Sequence, residues 1–144
     1  MRILAVDDEL VSRRLLKMTL ESLGHQVTCC ENGIEAWEVF EKNPTQYQVI
    51  ISDWLMPHLD GLGFCEKVRT LELSQYTYFI LLTANSRNES SYIEATHAGI
   101  DDFLPKPLKE CQILACLNVA KRIFGFMDKI KEFERLLPTA KAVG

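Results

Sequence analysis

The stretch Ile50-Ile51-Ser52-Asp53-Trp54-Leu55-Met56-Pro57 decides the fold of this chain. It continues a β-branched run at 49–51 that is long enough for a buried strand and ends at a single acid, Asp53. Pro57 and Gly61 then mark a loop. A carboxylate is therefore predicted at the carboxyl end of a buried strand, the edge at which open α/β sheets bind ligands. Taken alone, the stretch leaves open that Asp53 is a loop acid or a helix cap.

Short apolar segments alternate with helical patterns along the whole chain. The predicted strands are 3–6, 26–30, 48–52, 77–82 and 102–104. The predicted helices are 10–23, 34–42, 62–71, 88–97 and a last one from 108 onward. Strict alternation predicts parallel pairing with right-handed crossovers. We therefore expect a three-layer α/β sandwich, with a five-stranded parallel sheet in the order 2-1-3-4-5 and five helices, the last of them extended.

Composition excludes several classes of protein. The chain has 144 residues, enough for one domain and too few for two ordinary ones. Its net charge is −4, and no dense cluster of Lys and Arg predicts a nucleic-acid surface. No apolar run reaches the length of about 18 residues that a membrane span needs. The cysteines form no Cys-x-x-Cys pair and the histidines lack metal-ligand spacing, so we expect no zinc site. An acid at position 7 interrupts any signal peptide, and the cysteines are expected to be reduced, so we expect a cytoplasmic protein.

In the predicted strand order, strands 1 and 3 are neighbours, which brings Asp7 and Asp8 beside Asp53. Three carboxylates at close range repel one another unless a cation lies between them. Oxygen ligands favour Mg²⁺, or Mn²⁺, over zinc. Strand 4 ends at the hydroxyl of Thr83, and strand 5 ends near the ammonium of Lys106. A carboxylate, a divalent cation, a hydroxyl and a lysine around one cavity indicate phosphoryl transfer, with Asp53 as the nucleophile.

Each of these residues also has a simpler interpretation. The acids at 7–9 are suited to cap the first helix and complement its dipole. Thr83 is suited to a turn, and Lys106 to a solvated loop. The joint site is favoured because each residue follows a different strand at the same edge of the sheet.

These segments resemble the receiver domain of two-component response regulators, a phosphoacceptor family with a flavodoxin-like fold. The matching segments are Ile3-Leu4-Ala5-Val6-Asp7-Asp8-Glu9, Asp53-Trp54-Leu55-Met56-Pro57 with Asp60-Gly61, Leu82-Thr83-Ala84, and Ala98-Gly99-Ile100-Asp101-Asp102-Phe103-Leu104-Pro105-Lys106-Pro107. They cover residues 1 to about 122. The resemblance implies a receiver domain at 1–124, and the residue pattern beyond it predicts a helical extension and disordered tail at 125–144.

The resemblance also implies the chemistry of the acidic site. Asp53 would accept a phosphoryl group from a histidine kinase. Asp8, Asp53 and the backbone carbonyl of Leu55 would bind Mg²⁺, while Asp7 would act largely through water. The resemblance makes the residues at 55 and 85 tune the lifetime of the phosphoryl group. Leu55 offers no polar side chain to position an attacking water, which favours slow self-dephosphorylation.

The resemblance implies three further roles on strands 4 and 5. Thr83 and Lys106 would contact the phosphoryl group, and the Lys106–Pro107 bond would be cis. Phe103 occupies the family's aromatic switch position, without the hydroxyl of the Tyr that is common there. Phosphorylation would turn Thr83 towards the phosphoryl group and draw Phe103 inward, which would alter the face formed by helix 4, strand 5 and helix 5.

The end of the chain carries a pattern of its own. Its apolar residues are spaced 3, 4, 3 and 4 apart over two heptads: Ile123, Phe126, Ile130, Phe133 and Leu137. Gly125 weakens this helix by about 1 kcal/mol against Ala. Pro138 is expected to end the helix, and 139–144 to be disordered. The stripe could fold back on its own domain, pair with a second copy, or lead to an output domain.

Two other functions share parts of this pattern. A haloacid-dehalogenase-like phosphatase also uses an aspartyl nucleophile, Mg²⁺, Thr or Ser, and Lys, but it carries an Asp-x-Asp pattern after strand 1, which the acids at 7–9 do not match. A flavin-binding protein of flavodoxin type needs a phosphate loop at the same place, where these acids would repel the phosphate. We therefore expect a signalling module whose own chemistry is limited to Mg²⁺-dependent self-phosphorylation and slow self-dephosphorylation.

Overall fold

The computed structural model describes residues 1–84 and 88–137, and its strands form one parallel sheet in the order β2-β1-β3-β4-β5. The strands are β1 (Arg2–Val6), β2 (Gln26–Cys30), β3 (Val49–Asp53), β4 (Tyr78–Thr83) and β5 (Asp102–Pro105). The helices are α1 (Leu10–Ser22), α2 (Gly33–Lys42), α3 (Gly61–Arg69), α4 (Glu89–Ala98) and α5 (Glu110–Arg135), with a 3₁₀ turn at Pro44–Gln46. The predicted fold is confirmed, and the element boundaries lie within two residues of those predicted.

Polar side chains set the beginnings of three helices. Asn32, Asp60 and Asn88 cap α2, α3 and α4, and each accepts a hydrogen bond from the backbone N–H three residues on, at 2.8, 2.7 and 3.0 Å. Gly99 ends α4 with a φ of 110°, a left-handed conformation that favours glycine. The Asp60-Gly61 pair is therefore a capping residue followed by the first residue of a helix.

The sheet separates two apolar layers. The β-branched run of β3 alternates between them, with Ile50 facing one layer and Ile51 the other. One layer is shared with α2, α3 and α4, and its large buried side chains include Phe40, Phe64 and Phe79. The other is shared with α1 and α5 and includes Leu16, Leu20 and Leu117. Burial on both faces explains why the central strands are continuously apolar.

A partly buried charge network holds the amino edge of the sheet. Arg69, at the end of α3, donates to the carbonyls of Gly99 and Thr77 at 2.8 and 2.7 Å. The same guanidinium donates to Asp101 at 3.0 Å. Asp101 in turn accepts the backbone N–H of Phe79 at 2.8 Å. The network ties the ends of α3 and α4 to the starts of β4 and β5, at the edge opposite the acids predicted to form the site.

Helix α5 extends beyond the sheet. Its first half buries Ile113, Cys116, Leu117 and Ala120, whereas every residue from 128 to 137 is exposed. The side chains of Phe126, Ile130 and Phe133 remain 60, 56 and 63% exposed. The stripe predicted there therefore packs on its own domain only at Ile123, which is partly buried against the layer shared with α1, and from Phe126 onward its apolar side chains are exposed.

The expectations for Asn85, Pro138 and residues 139–144 fall on positions outside the described residues. Over the part of the chain that the structure describes, no helix is both long and apolar enough to cross a membrane.

Candidate functional site

The structure brings the three predicted acids together at the carboxyl edge of the sheet. Val6 of β1 pairs with Ser52 of β3, so the residues that follow them are adjacent. One oxygen from each of Asp7, Asp8 and Asp53 lies within 4.8 Å of the others. Asp7 is fully buried, Asp53 is partly buried and Asp8 is exposed, so the cluster reaches from the interior to solvent.

Lys106 supplies the cation that faces these acids. Its Nζ donates to Oδ2 of Asp53 at 2.9 Å and to Oδ2 of Asp7 at 3.2 Å. Its backbone N–H donates to the carbonyl of Thr83 at 2.8 Å, which fixes the lysine against the end of β4. The Lys106–Pro107 peptide bond is cis. The lysine is thus held at both its backbone and its ammonium.

Burial and the neighbouring charges shift the acid–base properties of this pair. Burial raises the pKa of Asp53, and the hydrogen bond and charge of Lys106 offset only part of that effect. Burial alone would lower the pKa of Lys106, but its hydrogen bond to Asp53 and the charges of Asp53 and Asp7 raise it above its ordinary value. The lysine therefore stays protonated, while ionising Asp53 carries a cost inside the fold.

The donor set fits a hard divalent cation. Three carboxylates face one ammonium, so negative charge remains in excess when all of the acids are ionised. Their oxygens are ligands that Mg²⁺ and Mn²⁺ prefer. Asp7, Asp8 and Asp53 are thus the described residues that could hold a metal.

A cavity of about 170 Å³ opens beside the nucleophile candidate. It is lined by Asp53, Trp54, Leu55, Ala84 and Lys106. Since one water occupies about 30 Å³ in the liquid, the cavity has room for several waters or for a phosphoryl group. Thr83 lies at the same edge, buried at the end of β4, but it does not contribute to this lining.

The loop after Asp53 is packed tightly under it. The N–H of Gly61 donates to the carbonyl of Trp54 at 2.8 Å, and the N–H of Trp54 donates to the carbonyl of Leu82 at 3.1 Å. A Cβ on Gly61 would lie 2.3 Å from the carbonyl oxygen of Asp53. From the sequence, Gly61 was expected to mark a loop and to belong to the Asp60-Gly61 motif, but the collision between a side chain there and the carbonyl of Asp53 was not predicted.

Three aromatic rings connect the site to the surface of α4. Phe103 stacks against Trp54 with centroids 6.1 Å apart and meets Tyr92 edge-on at 4.9 Å. Tyr92 also contacts Trp54 edge-on at 5.9 Å. Tyr92 was not among the site residues predicted from the sequence. The available signal was an aromatic residue within an otherwise polar helical segment.

An apolar surface borders the site on its other side. Val11, Leu15 and Met18 lie one helical turn apart on α1 and are exposed. Val11 and Leu15 line a cavity of about 310 Å³ that extends to Lys106, Pro107, Leu108 and Ile113. An apolar helix face and the site lysine thus border one concave surface.

Comparison with known proteins places these features in one family. A family model described as the response regulator receiver domain matches residues 3–118. Response regulator RppA of Synechocystis sp. is 38% identical over 122 residues, covering 85% of this chain and 51% of RppA. A chemotaxis protein CheY homolog of Campylobacter jejuni is 37% identical over 108 residues, covering 74% of this chain and 82% of that protein. The chain thus spans about half the length of RppA.

Solved structures give the same result. A response regulator receiver domain protein from Clostridium thermocellum has a TM-score of 0.79 and 25% identity, covering 88% of this chain and 98% of that one. Chemotaxis protein CheY4 of Vibrio cholerae has a TM-score of 0.75 and 28% identity, covering 83% of this chain and 97% of that one. The fold of this chain therefore has solved counterparts.

Proposed function

Because the chain belongs to the response regulator receiver domain family of two-component systems, we propose that Asp53 accepts a phosphoryl group from a sensor histidine kinase in an Mg²⁺-dependent reaction. The observation that carries the proposal is the position of Lys106, whose Nζ lies 2.9 Å from Asp53 and 3.2 Å from Asp7. With Asp8 also in reach, one partly buried carboxylate stands among groups suited to bind metal and phosphate.

In this mechanism Asp53 is the nucleophile. A carboxylate oxygen of Asp53 attacks phosphorus, the bond from phosphorus to the donor nitrogen breaks, and an acyl phosphate remains. Asp7, Asp8, Asp53 and the carbonyl of Leu55 would hold Mg²⁺, which would supply positive charge to offset that of the phosphoryl oxygens. The ammonium of Lys106 passes from the carboxylate to a phosphoryl oxygen.

The residues that line the cavity bear on how long phosphorylated Asp53 would last. Leu55 is exposed and lines the cavity beside Asp53, but its side chain has no polar atom to orient an attacking water. We therefore infer slow self-dephosphorylation and no turnover on an external substrate. The phosphatase alternative finds no support among the relatives, which are response regulators.

The phosphoryl donor has to approach from the carboxyl edge of the sheet, where Asp53 reaches solvent. The exposed stripe of Val11, Leu15 and Met18 borders that edge, and the cavity beside it reaches Lys106. A stripe at helical spacing fits the apolar face of a partner helix. We assign this surface to the histidine-bearing helix of the kinase.

The signal leaves on the opposite side, through the face formed by α4, β5 and α5. Phosphorylation recruits the hydroxyl of Thr83, and Phe103 then moves inward. Because Phe103 contacts Tyr92 on α4, its movement repositions that helix. The altered face then contacts a second copy or an output domain.

Acetyl phosphate with Mg²⁺, followed by intact mass measurement, tests the proposal. The full chain should gain the mass of one phosphoryl group, and EDTA should abolish the gain. Asp53→Asn should gain nothing, whereas Asp128→Asn, which changes an exposed acid on α5, should label normally. Normal labelling of Asp53→Asn would remove the assignment.

A further inference from the structure

The outer part of α5 is exposed, and its inner side borders a cavity of about 410 Å³ whose other wall is formed by Gln48 and residues 74–76. From 128 to 137 every residue is exposed, although α5 continues unbroken to Arg135. Helices of this length are marginal in water unless an apolar face packs against something. This segment has such a face, because Phe126, Ile130 and Phe133 lie on one side of it and are more than half exposed.

The spacing of that face fits a two-stranded coiled coil. Ile123, Ile130 and Leu137 take heptad position a, while Phe126 and Phe133 take position d. The buried side of α5, represented by Ile113, Leu117 and Ala120, lies on a different face of the helix. Ile123 already packs partly against the domain, and the rest of the stripe, from Phe126 onward, can be covered without displacing α5 from the sheet.

Charge complementarity favours a second copy of the same helix as the partner, in a parallel orientation. Lys129 takes position g and Glu134 takes position e of the next heptad. In a parallel pair of identical helices, position g of one chain faces position e of the partner five residues on. Lys129 then meets Glu134 of the partner subunit, and symmetry repeats the pair. An antiparallel arrangement places g beside g and e beside e, so these opposite charges do not meet.

We propose that residues 123–137 pair with a second copy of this chain as a short parallel two-stranded coiled coil, registered by Lys129 and Glu134. The pairing is weak because two heptads are short for a coiled coil. A substitution that raises the helix propensity of this segment should strengthen the pairing. A Cβ at Gly125 would meet nothing within 4 Å, so alanine there favours the helix without disturbing the domain.

Sedimentation equilibrium of the full chain over a range of concentrations tests the pairing. The apparent mass should rise from monomer towards dimer as concentration increases. Phe133→Glu should keep the chain monomeric and Gly125→Ala should strengthen association, with circular dichroism and labelling by acetyl phosphate showing that each variant is folded. A monomer mass at every concentration would overturn the proposal and assign the stripe to another protein or segment.

Charge reversal tests the register and the direction. Lys129→Glu should weaken dimerisation at least severalfold because it faces Glu134 of the partner subunit, and the double variant Lys129→Glu with Glu134→Lys should restore it. Lys131→Glu makes the same charge change outside the seam and should leave association near the wild-type value. Failure of the double variant to recover, or equal weakening by Lys131→Glu, would exclude the parallel register.

Discussion

The indole of Trp54 stacks on the ring of Phe103, with centroids 6.1 Å apart and planes inclined by 28°. Trp54 directly follows Asp53, whereas Phe103 lies on β5 at the edge of the sheet. A change in charge or geometry at Asp53 therefore needs only one residue of backbone and one ring contact to reach β5. This short route is also accessible to spectroscopy, because one of its two members is a tryptophan.

Trp54 should report metal and phosphate through its fluorescence. In a Trp37→Phe variant the remaining indole is the buried one beside Asp53, so Mg²⁺ and then beryllofluoride should change its emission stepwise. Adding Asp8→Asn should lower the Mg²⁺ affinity measured by this titration about tenfold or more, since one of three candidate ligands loses its charge. Titration curves that coincide with and without Asp8→Asn would contradict a metal role for this residue.

Asp53→Asn should stabilise the protein at neutral pH when Mg²⁺ is absent. Burial raises the pKa of Asp53 above its ordinary value of 3.8, so the ionised carboxylate is less favourable in the folded state than in the unfolded one. Stability is therefore lost as pH rises from 3.8 through the raised pKa, and the asparagine avoids that loss. Urea midpoints should favour the variant at pH 7 and converge below 3.8.

Added Mg²⁺ should reverse that order, because ligand binding to the folded state stabilises the wild type more than a variant with a weaker site. A wild-type midpoint above that of Asp53→Asn in EDTA at pH 7 would show that the ionised carboxylate carries no net cost in the fold.

Gly61→Ala should destabilise the domain by about 1–3 kcal/mol, the range for overpacking a filled site. Its Cβ would lie 2.3 Å from the carbonyl oxygen of Asp53 and 2.6 Å from Leu81, and the backbone oxygen cannot rotate away. Urea unfolding measures the loss, and a slower rate of labelling by acetyl phosphate should accompany it. The matched control is Gly125→Ala, which should gain about 1 kcal/mol in a helix interior with open space around it.

Arg69→Ala should destabilise the protein by about 2–3 kcal/mol, below the figure for a fully buried pair because some solvent reaches both partners. The side chains of Arg69 and Asp101 are only 22 and 19% exposed, so Asp101 would be left partly buried without its cation. Thermal or urea unfolding measures this loss. Because the network lies at the edge opposite Asp53, the folded variant should still be labelled by acetyl phosphate, and loss of labelling without loss of stability would contradict a purely structural role.

The fold and the acidic edge were predictable because the signals that specify them are local. A β-branched run identifies β3, and alternation with helical patterns orders the strands. Once the order is known, residues that follow strands 1 and 3 have to be neighbours, which is why Asp7 and Asp53 could be placed together. The simpler interpretation of the acids at 7–9 as side-chain caps of the first helix is wrong, since α1 has no side-chain cap hydrogen bond and no acid in its first turn. Asp7 instead accepts the N–H of Glu9 at 3.0 Å, before the helix begins, while its other oxygen contacts Lys106.

The contacts that escaped prediction join residues without a local pattern. Arg69 and Asp101 are 32 residues apart, and each alone is typical of a solvated surface charge. Tyr92 lies on α4, whose one fully buried residue is Ala95, so the sequence gives little indication of which side of that helix meets the sheet. Its contact with Phe103 depends on how the whole helix packs, and only the three-dimensional structure determines that.

Helix α5 also acts as a lever. At 1.5 Å per residue its 26 residues extend about 39 Å, of which the last dozen project about 18 Å past the sheet. A tilt of about 10° at the anchored half would swing the far end by about 3 Å, so a small rearrangement becomes a displacement the size of a side-chain contact. Gly125 lies where the anchored half passes into the projecting half. Because glycine has the most backbone freedom, we expect α5 to bend most easily here. The stiffness of the helix at Gly125 then determines how much of a tilt of the anchored half reaches the C-terminal end.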